Sequence, residues 1–91
     1  MAVDLHLPAV HSLKEKRAVI TPILEGARRR YTVAAAEVDY QDKWQRAGLG
    51  FAAVASSPRH VDEVLDNVER FVWSFPEVEV IAAERGAVDQ Q

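Results

Sequence analysis

The sequence predicts an α+β domain with elements in the order β-α-β-β-α-β. Three observations predict it. Residues 2–7 alternate apolar and polar at period two. Two stretches of helical periodicity follow, each behind its own serine cap. Between the helices, two β-rich runs flank a polar turn.

Strand one, residues 2–7, points Val3, Leu5 and Leu7 one way and Asp4 and His6 the other, until Pro8 stops it. Ser12-Leu13-Lys14-Glu15 is a capping box: the serine hydroxyl accepts from the Glu15 amide and the carboxylate reaches back. Leu13, Ile20, Leu24, Ala27 and Tyr31 then share a stripe with Ile23 beside it, which predicts a helix over 12–29. Pro22 in its interior removes a backbone hydrogen bond, so a kink near Thr21 or a helix in two pieces is expected.

Strands two (32–40) and three (46–56) form a hairpin around Asp42-Lys43. The pairing that sets Asp39 against Arg46 also sets Val38 against Ala47, Ala36 against Leu49 and Ala34 against Phe51. Ser57 caps the second helix, with Pro58 at its first position. Val61, Val64, Leu65, Val68, Phe71, Val72 and Phe75 make the strongest periodic signal in the chain, and Pro76 ends it. Trp73 lies about 140° from that stripe at about 100° per residue. Residues 77–83 alternate again, with Val78 and Val80 inward. This order is the ferredoxin-like arrangement, a four-stranded antiparallel sheet with two helices on one face. One domain over 1–83 is expected, with a frayed tail over 84–91.

Composition narrows the function classes. The 91 residues are 48% hydrophobic and 27% charged, the balance of one small globular domain. With no cysteine there is no disulfide, thiolate metal site or cysteine nucleophile. No apolar run reaches about 18 residues and no basic-then-apolar leader is visible, so neither a membrane span nor secretion is expected. No phosphate loop, dinucleotide fingerprint or nucleophile elbow occurs. Asp4, His6 and Glu37 lack diagnostic ligand spacing. No cofactor, metal or catalytic residue is expected.

The net charge of −3 conceals a partition. Residues 11–30 carry Lys14, Lys16, Arg17, Arg28, Arg29 and Arg30 against Glu15 and Glu25, a net +4, whereas residues 58–91 carry −5. A helix N-terminus favours acids, yet Lys14, Lys16 and Arg17 crowd this one with cations, with His11 and the Ser12 cap just before them, an arrangement suited to an anion. Lys14, Arg17, Thr21 and Arg28 share one flank that would track a phosphate backbone. The hairpin tip collects Tyr40, Gln41, Asp42, Trp44, Gln45 and Arg46, which is contact chemistry. The sheet face without helices is expected to show Asp4, His6, Val33, Ala35, Glu37, Asp39, Arg46, Gly48, Gly50, Ala52, Val54, Ile81 and Ala83. With Ala35, Glu37, Gly48 and Gly50 at its centre, it suits a homodimer.

His11-Ser12-Leu13-Lys14-Glu15-Lys16-Arg17 and the run from Ala36 through Trp44 to Ala47 resemble the two signature stretches of the YlxP-like bacterial proteins of unknown function. The resemblance covers roughly residues 3–81, departing in a short start before strand one and in Pro22. It implies a ferredoxin-like fold and a cytoplasmic bacterial protein. Genes of that family often stand among those for transcription elongation, translation initiation and ribosome maturation, which implies a role near RNA or the ribosome. It carries over no catalytic residues. Two functions are therefore expected: a non-enzymatic accessory protein binding RNA or a ribosome-associated partner, or a dimeric small-ligand module using the open sheet face and an anion site at the entrance of helix one.

Overall fold

A computed structural model of the protein describes residues 1–86. The elements are β1 (Ala2–His6), α1 (Leu13–Tyr31), β2 (Ala34–Asp39), β3 (Arg46–Ala52), α2 (Pro58–Trp73) and β4 (Glu79–Glu84). The strands pair antiparallel in the spatial order β2-β3-β1-β4, and the fold is the ferredoxin-like α+β arrangement.

Both caps form as the serines predict. Ser12 Oγ accepts from the Glu15 amide at 3.0 Å, and Glu15 Oε2 returns to the His11 amide at 2.6 Å. Ser57 Oγ accepts from the His60 amide at 3.2 Å. Helix α1 runs unbroken through Pro22, so it is not divided into two pieces. Pro22 is exposed, and so is Ala18, whose carbonyl loses the missing bond; water can take the vacant acceptor.

The core lies between the helices and one face of the sheet. Val3, Leu5, Ala47, Leu49 and Phe51 from the sheet meet Ile20, Ile23 and Ala27 of α1 and Leu65, Val68 and Val72 of α2. The helices meet closely at Gly26, where a Cβ would lie 2.5 Å from Phe71 Cζ. The Phe71 ring is held edge-on by Tyr31 at 5.7 Å and by Phe75 at 5.0 Å between centroids.

Strand β2 departs from the expected pairing by one residue. Ala34 faces Ala52, Ala35 faces Phe51, Ala36 faces Gly50 and Glu37 faces Leu49; a bulge at Val38 then brings Asp39 opposite Gly48. From Ala34 through Val38 the side chains are inverted relative to the expectation, and the bulge returns Asp39 to the open face where it was expected. Val33, Ala35 and Glu37 turn toward the helices, while Ala34 and Ala36 join the open face. The physical reason is that Arg46 does not need Asp39. It bonds Asp4 through Nη2 at 2.6 Å and Nε at 3.3 Å, and it lies 4.5 Å over the Tyr40 ring. An Ala-Ala-Ala run has no apolar alternation to resist the slip.

A second bulge, at Ile81, lets Val80 and Ala83 both face inward, opposite Leu5 and Val3. Ala83 therefore leaves the expected open face, and Ala82 and Glu84 take its place. Strand β4 continues through Glu84, the first residue of the expected tail. Arg85 follows it and is tied to α2: its Nη2 lies 2.7 Å from Asp66 and 3.3 Å from Glu69. Those bonds, Asp66 first, raise its pKa above the ordinary arginine value. The rest of the expected tail, residues 87–91, lies outside the described residues.

Candidate functional site

Lys16 changes the map of the basic helix. Its residue is 1% exposed. The ammonium donates to the Tyr40 carbonyl at 2.6 Å and the Lys43 carbonyl at 2.7 Å, and it lies 2.7 Å from Glu37 Oε2. That carboxylate oxygen has no hydrogen-bond partner of its own, so the ammonium compensates it by charge rather than by a straight hydrogen bond. Lys16 is therefore an internal staple between α1 and the β2–β3 turn, not one of the cations offered to an anion. The apolar stripe of α1 carried a signal of this. Ile20, Ile23 and Ala27 extended one turn back fall on position 16, which a sequence reading assigns to water because lysine usually faces it.

The helix entrance is partly filled from within the protein. Ser12 Oγ covers the Glu15 amide, and the Glu15 carboxylate occupies the His11 amide. What remains of the basic cluster is a flank. Taking about 100° per residue, Lys14, Arg17, Thr21 and Arg28 fall within about 60° of one another, roughly opposite Gly26 and the α2 contact. All four are exposed. Arg28 reaches from this flank to the edge strand, donating to the Ala35 carbonyl at 2.6 Å.

Ion pairing separates the cations into two sets. Among the described residues Lys16 is paired with Glu37, Arg46 with Asp4, Arg59 with Glu63, and Arg85 with Asp66 and Glu69. Lys14, Arg17, Arg28, Arg29, Arg30 and Lys43 have no carboxylate partner, and all lie on α1 or on the turn that Lys16 tethers to it. Arg70, bonded to Asn67, is the single exception elsewhere. The acids concentrate on the opposite side, along α2 and β4.

The hairpin tip divides similarly. Tyr40 adopts a left-handed backbone (φ 59°), unusual for a bulky residue, and is held there by Lys16 on its carbonyl and Arg46 on its ring. Gln45 Nε2 donates to the Val10 carbonyl at 3.1 Å and the Pro8 carbonyl at 3.3 Å, and the Leu7 amide donates to the Gln45 carbonyl at 2.9 Å. Tyr40, Gln45 and Arg46 thus bind the tip to the body. Gln41, Asp42 and Trp44 stay exposed, Trp44 at 53%.

The open sheet face loses two of its four expected interface residues, because Ala35 and Glu37 point to the helix side. Gly48 and Gly50 remain, but their close approaches are internal: a Cβ on Gly48 would lie 2.7 Å from Asp39 Cβ, and one on Gly50 3.0 Å from Val38 Cγ1. The bulged strand fills the space that a partner was expected to use. A shallow groove of about 220 Å³ persists beside it, lined by Asp4, Val38, Tyr40 and Glu84 among others. Asp4 and His6 face this side and Glu37 the other, so the three do not assemble. Among the described residues no cluster of three or more histidines and carboxylates could hold a metal ion, and no helix is long and apolar enough to cross a membrane.

Residues 1–85 match the family described as "Protein of unknown function (DUF503)". The chain is also 47% identical over 68 residues to the "Uncharacterized protein YlxP" of Bacillus subtilis (strain 168), covering 75% of this chain and 74% of that one. The chain belongs to this family.

Proposed function

We propose that this member of the DUF503 family is a non-catalytic, cytoplasmic accessory protein that binds RNA, free or within a ribosomal particle, through the outward flank of α1 and the adjoining β2–β3 turn. The observation that carries this reading is the segregation of the cations. Of the four cations elsewhere, Arg46, Arg59 and Arg85 are paired with carboxylates, whereas on α1 and its tethered turn every cation but Lys16 lacks a carboxylate partner among the described residues. Uncompensated, aligned cations are what a phosphate backbone exchanges for its counterions. The acidic α2 and β4 side would repel the same polyanion and so orient it toward α1. The dimeric alternative is less well supported, since Val38 and Asp39 already occupy the space over Gly48 and Gly50.

The test is titration of structured ribosomal RNA fragments, with sedimentation against ribosomal subunits, at two salt concentrations. If Lys14, Arg17, Arg28 and Lys43 each neutralise one phosphate, the log–log slope is about −0.7 to −0.9 per contact. Affinity then falls about 50- to 150-fold over a fourfold rise in salt. Lys14→Glu with Arg17→Glu should abolish most binding and leave the fold intact, since both side chains are exposed and unpaired. Absence of RNA binding, or binding indifferent to that double substitution, refutes the proposal.

A further inference from the structure

Trp44 is 53% exposed, and among the described residues its indole makes no hydrogen bond, aromatic pair or cation–π contact. A hairpin tip needs turn formers rather than an indole, and the task of covering the sheet edge falls to Tyr40, which stacks under Arg46. Yet the backbone on both sides of Trp44 is fixed. Lys43 gives its carbonyl to Lys16 Nζ at 2.7 Å, and Gln45 accepts from Leu7 at 2.9 Å while its side chain holds Val10 at 3.1 Å. Exposed loop tips are ordinarily the most mobile part of a fold. Here a buried lysine and a glutamine clamp pin the tip and leave the largest side chain on it outside. An aromatic held in place before contact loses little further freedom on binding.

Its surroundings indicate what it would contact. Lys43 precedes it, and the Lys16 staple sets this turn against the N-terminal half of α1, where Lys14 and Arg17 are without carboxylate partners. An exposed flat π-surface next to Lys43, on a turn tied to the helix that carries the cationic flank, gives a base a face to stack on and its flanking phosphate a charge. Arg17 and Lys14 lie about 100° and about 160° around α1 from Lys16, so the backbone reaches them by passing around the helix. An A-form duplex keeps its bases stacked and its major groove deep and narrow, so it offers the phosphates but not a free base. Resting on the RNA-binding reading above, we propose that Trp44 is a stacking platform for an unpaired base. The preferred ligand is then single-stranded or bulged RNA whose backbone continues along the α1 flank.

Trp44 and Trp73 are the two tryptophans of the chain, so Trp73→Phe leaves Trp44 as the sole indole reporter. The probes are a mixed-sequence single-stranded RNA of about a dozen nucleotides and the duplex of the same sequence. Quenching of Trp44 emission by the single strand, and weaker binding of the duplex, are expected. Trp44→Ala should weaken single-strand affinity about 5- to 150-fold, the range of one base–aromatic stack. Trp44→Phe should retain most of it, and Trp44→Leu should behave as Ala because it keeps apolar area without a π-face. Unchanged urea midpoints would establish that these variants fold. Wild-type affinity for Trp44→Ala, equal affinity for the duplex, or full affinity for Trp44→Leu would each overturn stacking. The first of these, with binding still abolished by Lys14→Glu and Arg17→Glu, would leave the phosphate-tracking reading standing. Failure of both RNAs to bind, with Trp44 instead buried against a protein that survives nuclease treatment, would overturn both.

Discussion

Replacing Lys16 with methionine tests the staple most directly. Methionine keeps much of the aliphatic length and deletes the ammonium. The Tyr40 and Lys43 carbonyls then lose their donor, and the Glu37 carboxylate loses its counter-charge. Breaking a buried ion pair by removing one partner costs about 3–5 kcal/mol. The Glu37 side chain keeps 19% of its surface, so water can reach it. That places the loss at the lower end, about 3 kcal/mol. For a small domain with a urea m-value of about 1–2 kcal/mol/M, the midpoint should fall by about 1.5–3 M. The double variant Lys16→Met with Glu37→Leu removes both charges and should recover part of the loss, about 1–2 kcal/mol. It should not recover all of it, because two carbonyls still depend on solvent. Chemical denaturation of the two single variants and the double closes the cycle. A loss below about 1 kcal/mol for Lys16→Met, or a coupling energy near zero, would refute the assignment of Lys16 as an internal partner of Glu37.

Two further outcomes rest on glycines. Gly26→Ala places a Cβ 2.5 Å from Phe71 Cζ, and that ring is wedged between Tyr31 and Phe75. Overpacking of about 1–3 kcal/mol outweighs the helix-propensity gain of about 1 kcal/mol, so the thermal midpoint should fall rather than rise. On the open sheet face Gly48→Ala, which meets Asp39 Cβ at 2.7 Å, should destabilise more than Gly50→Ala, which meets a Val38 methyl at 3.0 Å. The reverse order in denaturant midpoints would contradict the position of the β2 bulge.

Legibility followed the strength of local pattern. Strands β1 and β3 have unambiguous inward faces because Val3, Leu5 and Leu7, and Ala47, Leu49 and Phe51, alternate with polar or small residues. The serine caps depend on a hydroxyl and an amide three residues apart, which any helix start supplies. Strand β2 offers Ala-Ala-Ala-Glu, where both faces look alike, and a reading that gave Asp39 to Arg46 could not know that Asp4 was closer. The basic flank was visible in the spacing of Lys14, Arg17 and Arg28; its membership was not, because Lys16 reads like its neighbours until its acceptors are located.

The sequence by itself therefore determined the order of the six elements, their caps, the apolar faces of both helices and of strands β1 and β3, and the gathering of positive charge on α1. These are consequences of period, propensity and composition within a few residues. Tertiary structure alone decided which lysine is internal, which way β2 faces and how the hairpin tip is held. Each of those depends on groups brought together from afar. The acceptors of Lys16 lie 24 and 27 residues along the chain, and Arg46 finds Asp4 at a separation of 42. A side chain such as lysine or arginine takes its place from whichever partners the folded backbone delivers, and no local pattern records that.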